Sequence, residues 1–137
     1  MRLFARVLVP LDHSSAAAAA LALTRANFPD AELRLLHVID PGQLAGSITS
    51  TVSPDVQREE LEQKAAQRLS HLRTAGDEFV IRVGKPAEVI IKEAEEWQAD
   101  LITMGTHGRT GFDHFLHGSV AEQVVRHSRL PVLIEHE

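Results

Sequence analysis

Residues 100–120 begin as Asp100-Leu101-Ile102-Thr103-Met104 and continue as Gly105-Thr106-His107-Gly108-Arg109-Thr110-Gly111. Six residues later come Gly118-Ser119-Val120. The first part is a strand-like apolar run, and Val120 to His127 has the spacing of a helix, so a glycine-rich loop joins a strand to a helix. Gly105 and Gly108 stand three apart, and Gly118-Ser119 follows ten residues further on. In an α/β protein a loop of this kind presents bare backbone N–H groups to an anion at the start of a helix. Glycine lets the main chain turn with positive φ there and admits a phosphate that a Cβ would obstruct. The stretch points to strands alternating with helices and to nucleotide phosphate.

The alternation extends toward the amino end. Arg2 to Val9 is apolar and β-branched and ends at Pro10, the pattern of a first strand buried on both faces. Ser14 or Ser15 caps a helix that runs through the alanines, with Ala17, Leu21 and Thr24 on one side and Pro29 closing it. Glu32 to Ile39 is a second strand, and Asp40-Pro41-Gly42 opens a polar loop lasting to Ser53. Ser53-Pro54 pairs a capping serine with proline at the first helical position, and Leu61, Ala65, Leu69 and Leu72 form one apolar stripe behind it. Phe79 to Val83 is a third strand, closed by Gly84-Lys85-Pro86. Ala87 to Trp97 is a third helix with Ile90, Ala94 and Trp97 facing inward, Asp100 to Met104 a fourth strand, and Pro131 to Glu135 a fifth.

Strands interleaved with helices through short connections imply an open parallel sheet with helices on both faces. Ligands bind such sheets beyond the carboxyl ends of the strands, where the strand order reverses. With the first and fourth strands flanking that reversal, Asp12 and the glycine loop meet in one crevice. No internal repeat or linker interrupts the pattern, so a single domain over residues 1–137 is expected.

Composition excludes several classes. A chain of 137 residues buries roughly 68% of its unfolded surface in one core. Its net charge of −5, with basic residues scattered among acidic ones, disfavours a nucleic-acid partner. The absence of cysteine removes disulfides, thiolate zinc sites and thiol nucleophiles. Asp12, His13 and two serines interrupt the apolar run that ends at Leu11, well short of a secretion-signal core. No apolar stretch approaches a membrane span. A cytoplasmic protein with no membrane insertion is expected.

Three segments, in this order, resemble the universal stress protein family: Val7-Leu8-Val9-Pro10-Leu11-Asp12, Leu35-Leu36-His37-Val38-Ile39-Asp40, and the glycine loop with its following helix. Gly105, two residues, Gly108, nine residues, Gly118 and then Ser119 is the spacing of that family's ATP-binding branch. Val120-Ala121-Glu122 and Pro131-Val132-Leu133 also sit where the family places them. The resemblance implies a Rossmann-like five-stranded sheet of order 3-2-1-4-5 and a homodimer formed through the last strand. It also implies ATP, or AMP or ADP, held at the strand ends, with magnesium accompanying the nucleotide. Carried over by position, it sets Asp12 on the ribose and Pro10 and Val38 beside the adenine. It sets Gly105, Gly108, Arg109, Gly118, Ser119 and Val120 on the phosphates, with Thr106 and His107 lining the same loop. His117 departs from the family pattern, which more often has an apolar residue there.

The residues taken singly leave alternatives. Asp12, after a buried strand, either caps the next helix or accepts hydrogen bonds from ribose hydroxyls. Arg109 is a phosphate clamp or a solvated arginine. His107, His114 and His117 cluster in sequence without repeating a metal-ligand spacing such as His-Glu-x-x-His, so no protein-only metal site is assigned. His37 reads as a hydrogen-bonded core residue, and Trp97 and the leucines of the second helix as core or dimer packing. The loop from Asp40 to Ser53 is either a flap over the base or plain solvated chain.

There is no Walker A lysine and no kinase catalytic set. Rapid ATP cleavage needs a cation on the γ-phosphate and a positioned nucleophile. Arg109 offers the cation, but Asp113 is the only candidate base, so no catalytic residue is assigned. The reading is an ATP-binding sensor or regulator in the stress response, whose nucleotide state biases a dimer or a protein partner. The alternatives are a slow magnesium-dependent ATPase and a nucleotide-independent dimeric interaction protein.

Overall fold

The computed structural model describes residues 4–42, 54–106 and 118–136, with residues 54, 118 and 119 described through their backbone only. Among these, five strands alternate with helices: β1 (Arg6–Pro10), α1 (Ser15–Asn27), β2 (Glu32–Ile39), α2 (Pro54–Leu69), β3 (Glu78–Val83), α3 (Pro86–Trp97), β4 (Leu101–Thr106), α4 (Gly118–His127) and β5 (Val132–His136). All pairings are parallel and the order is β3-β2-β1-β4-β5. The expected order 3-2-1-4-5 is therefore the observed one, and it reverses between β1 and β4.

The sheet is covered on both faces, which is why its central strands read as continuous apolar runs. Val7, Leu8 and Val9 of β1 and Leu35 and Leu36 of β2 have no exposed surface, nor do Ile102 and Met104 of β4. Each such side chain contributes roughly 1.5–3 kcal/mol through its burial. On the α1 side the helix presents Ala16, Ala17 and Ala20, all fully buried, and these short side chains let its backbone come close to β4.

Element ends differ from the expected ones where a long-range bond decides them. β1 spans Arg6–Pro10, and the Ala5 and Arg6 amides both donate to Asp100 Oδ2 at 2.8 Å where it begins; Arg2, the expected start, lies outside the described residues. β4 runs to Thr106 rather than Met104, because β5 pairs Gly105 with Glu135 and Thr106 with His136. Gly105 thus belongs to a strand and not to a loop. Ser14, not Ser15, caps α1, its hydroxyl accepting the Ala17 N–H. α3 begins with Pro86 at its first turn and ends at Gln98, whose left-handed backbone (φ 60°) sends its N–H back to Ala94 and Glu95. Leu72 falls in a 3-10 turn after α2, where Arg25 of α1 donates to its carbonyl at 2.6 Å.

Trp97 was expected inside and is half-buried instead. Its ring lies under the Arg34 guanidinium, 4.8 Å from the centroid, with Arg6 at 5.7 Å. Stacking on the electron-rich face satisfies both cations at the rim of the sheet. Arg34 also donates from Nη1 to Glu93 at 2.6 Å, and Arg82 donates to the same carboxylate at 3.1 Å. Glu93 is only 5% exposed, a buried charge that α3 carries because two guanidiniums from β2 and β3 meet it.

Candidate functional site

Strand alternation sorts the site residues by face. Arg34 reaches Glu93 and Trp97 of α3, so Arg34, Leu36 and Val38 of β2 point to the α3 side, while Leu33, Leu35 and His37 point to the α1 side. Residues paired across a parallel ladder share a face. Pro10 is opposite Leu36 and Leu8 is opposite Arg34 and Ile102, which extends the α3 side to Pro10, Met104 and Thr106. Pro10, Val38 and Thr106 therefore share one face at the carboxyl ends of three adjacent strands. α4 packs on α3 and β4, so its amino end opens on the same region. This is the place where the strand order reverses.

Asp12 lies two residues beyond Pro10, and the β1–β4 register sets it level with Thr106. It is 3% exposed, and its Oδ1 accepts the Ser14 N–H at 2.8 Å. Ser14 in turn caps α1, so Asp12 is one step removed from the helix end: it orients the cap rather than being the cap. Leu11, between strand and turn, is held from both of its backbone polar groups. Its N–H donates to the Leu36 carbonyl at 2.7 Å, and its carbonyl lies 2.8 Å from His37 Nδ1.

A carbonyl only accepts, so Nδ1 of His37 carries the proton. Burial pushes the His37 imidazole below its ordinary value, against the opposing influence of the Leu11 bond and the Asp12 carboxylate. The exposed His13 ring stands 5.3 Å from that of His37. The expectation that His37 is a hydrogen-bonded core residue holds, but its partner places it directly behind the Asp12 turn. The sequence carried no sign of that, since period-two alternation assigns His37 to the face away from Val38.

Thr106 is 7% exposed, and its Oγ1 has no hydrogen-bond partner among the described residues. A buried orphan hydroxyl is costly unless something meets it. Gly105 has a reason other than the one expected of it: a Cβ there would stand 2.1 Å from the Ala16 carbonyl oxygen. Its lack of a side chain is required by helix packing on the α1 side, opposite to Thr106. Gly118 and Ser119 are the first two residues of α4. Val120 follows, half-buried. His107, Gly108, Arg109, Asp113, His114 and His117 lie outside the described residues, as does the loop from 43 to 53.

The strand ends thus combine an apolar floor from Pro10 and Val38, a carboxylate, a buried hydroxyl and a helix amino terminus. The last favours an anion by about 0.3–1 kcal/mol when exposed. Such a set suits holding a ligand with apolar, hydroxyl and anionic parts. A surface depression of about 380 Å³, lined by Arg25, Phe28, Leu33, Thr74 and Asp77 among others, lies at the other end of the sheet. It shares no residue with this group.

Residues 3–136 match the profile described as the Universal stress protein family. Universal stress protein MJ0531 of Methanocaldococcus jannaschii is 33% identical over 140 residues, covering 96% of this chain and 82% of that protein. Universal stress protein MJ0577 of the same organism is 31% identical over 153 residues, covering 96% and 94%. The solved structure of MJ0577 superposes with a TM-score of 0.76, covering 99% of this chain and 98% of that one. A crystal structure of a universal stress protein in complex with cAMP superposes with a TM-score of 0.63, over 98% of each chain. At 23% identity this second likeness is one of fold alone.

Proposed function

The chain belongs to the universal stress protein family, and from that membership and the geometry of its strand ends we propose that it binds an adenine nucleotide, ATP with magnesium, as a nucleotide-dependent sensor or regulator. Pro10 and Val38 border the base, Asp12 accepts from the ribose, and Thr106 with the start of α4 meets the phosphates. Gly108, Arg109, Gly118, Ser119 and Val120 complete the phosphate side in the pattern that the sequence shares with the ATP-binding branch. The observation that carries this reading is the buried Thr106 hydroxyl, unpartnered among the described residues, on the face that also holds Pro10 and Val38. Nucleotide occupancy acts through a homodimer at β5, the outer strand beside β4, whose Val132, Leu133 and Ile134 are half-buried in the single chain.

The test is to denature freshly purified protein, identify any released nucleotide, and titrate the stripped protein with ATP and magnesium. Micromolar binding corresponds to about 8 kcal/mol, more than one helix terminus supplies, so the base, ribose and phosphate groups must act together. A released adenine nucleotide that rebinds in this range is the expected result. A protein that is empty as purified and ignores millimolar ATP would overturn it.

A further inference from the structure

A buried strand position is filled at no polar cost by leucine or isoleucine, whereas an imidazole there loses its hydration and must recover a bond. His37 recovers it from the carbonyl of Leu11, a residue 26 positions away. That carbonyl belongs to the peptide group linking Leu11 to Asp12. The group is planar, so fixing its oxygen fixes the direction in which the chain enters Asp12. The Leu11 amide is held on its other side by Leu36. Beyond Asp12, the Ser14 N–H on Oδ1 sets the rotation of the carboxylate. One peptide plane and two hydrogen bonds thus connect an imidazole on the α1 side of the sheet to the turn that carries the carboxylate.

We propose that His37 is a positioning residue for the nucleotide site, holding the Leu11 carbonyl and thereby fixing Asp12 where the ribose is bound. The proposal rests on the nucleotide reading for the ribose and on the structure alone for the positioning. His37 touches no ligand in this scheme; it acts only through Leu11 and Asp12. Asparagine at position 37 can offer an amide N–H close to where Nδ1 stands, whereas leucine fills the space without a donor.

The experiment compares wild type, His37→Leu, His37→Asn, Asp12→Ala and the His37→Leu/Asp12→Ala double variant. Two quantities are read: affinity for ATP, and amide hydrogen exchange at Leu11 and Ser14 without nucleotide. His37→Leu is expected to weaken ATP binding about tenfold and to speed Ser14 exchange, with His37→Asn recovering most of both. In the Asp12→Ala background His37→Leu is expected to cost nothing further, because coupled residues are not additive. An unchanged affinity in His37→Leu, or a loss that simply adds to that of Asp12→Ala, overturns the positioning role and leaves the nucleotide reading standing. If the wild type ignores ATP, the nucleotide reading falls, and exchange alone decides: faster Ser14 exchange restored by asparagine supports positioning, and unchanged exchange overturns it. Imidazole nitrogen shifts of the wild type give a check that needs no variant to fold. An Nδ1–H tautomer is expected for His37, and an Nε2–H tautomer overturns the proposal.

Discussion

Gly105 lies so close to α1 that a Cβ built on it would stand 2.1 Å from the Ala16 carbonyl oxygen and 2.8 Å from the Ala17 amide nitrogen. Both atoms are backbone, so neither moves without shifting the helix that Ser14 caps and that Asp12 precedes. Gly105→Ala is therefore expected to destabilise the fold by about 3 kcal/mol, the upper part of the range for overpacking. Denaturant unfolding checks this. An unchanged midpoint would mean that α1 yields freely, and the glycine would then need its explanation from a ligand.

Thr103 and Thr106 sit on opposite faces of β4, and each has a buried hydroxyl without a partner among the described residues. Replacing either by valine removes an orphan polar atom and is expected to leave the free protein as stable or up to about 1 kcal/mol more stable. The two are expected to part in binding. Thr106→Val weakens ATP about tenfold if its hydroxyl meets the ligand, and Thr103→Val, on the α1 side, does not. Calorimetric titration of both separates them, and equal affinities would remove Thr106 from the site.

Arg34 and Arg82 share Glu93, but unequally. The Arg34 side chain is 17% exposed and also pairs with Glu78, whereas that of Arg82 is 50% exposed. Arg34→Ala strips a buried carboxylate of its closer partner and uncovers Trp97, an expected loss of about 3 kcal/mol. Arg82→Ala removes a half-solvated ion and is expected to cost less than about 1 kcal/mol. Equal unfolding midpoints for the two variants would contradict this ranking.

The proton on His37 makes stability depend on pH. Its folded value lies below the ordinary 6.5 because burial disfavours the charged ring, with the Asp12 carboxylate opposing and the His13 ring alongside. Between the two values the unfolded chain binds a proton that the folded chain does not, so stability rises with pH. The contribution is complete above pH 6.5 and is lost as the pH falls toward the folded value. Unfolding measured between neutral and mildly acidic pH should show this slope, and His37→Leu should flatten it. A variant with the same slope as wild type would assign the effect to other groups.

Much of the architecture was legible locally. β2 spans Glu32–Ile39 as expected, Pro54 opens α2 at the expected first helical position, and α3 starts at Pro86, one residue before the expected Ala87. The strand order followed from the resemblance of three segments, since runs and spacings alone allow more than one arrangement. Pro10, Asp12 and Val38 were named from those segments, and the structure brings them to the reversal point with Thr106. Gly105 was misread as loop because a glycine after an apolar run usually ends it; pairing with Glu135 keeps it in β4. Trp97, read as core or dimer packing, does pack against the core, but helical spacing could not register the two arginines that reach its ring from β1 and β2.

The sequence by itself determined which stretches become strands and helices, because periodicity, capping and proline restriction act between residues a few positions apart. It also pointed to the crevice between β1 and β4 as the place to look for a ligand, through Asp12 and the glycine spacing, which are read without any coordinates. Only the tertiary structure decided which face each residue takes at that place and what holds it there. Leu11 and His37 are 26 residues apart, and Arg34 and Glu93 are 59 apart. Contacts across such separations exist only once the sheet has closed, and no local preference of either residue encodes its partner.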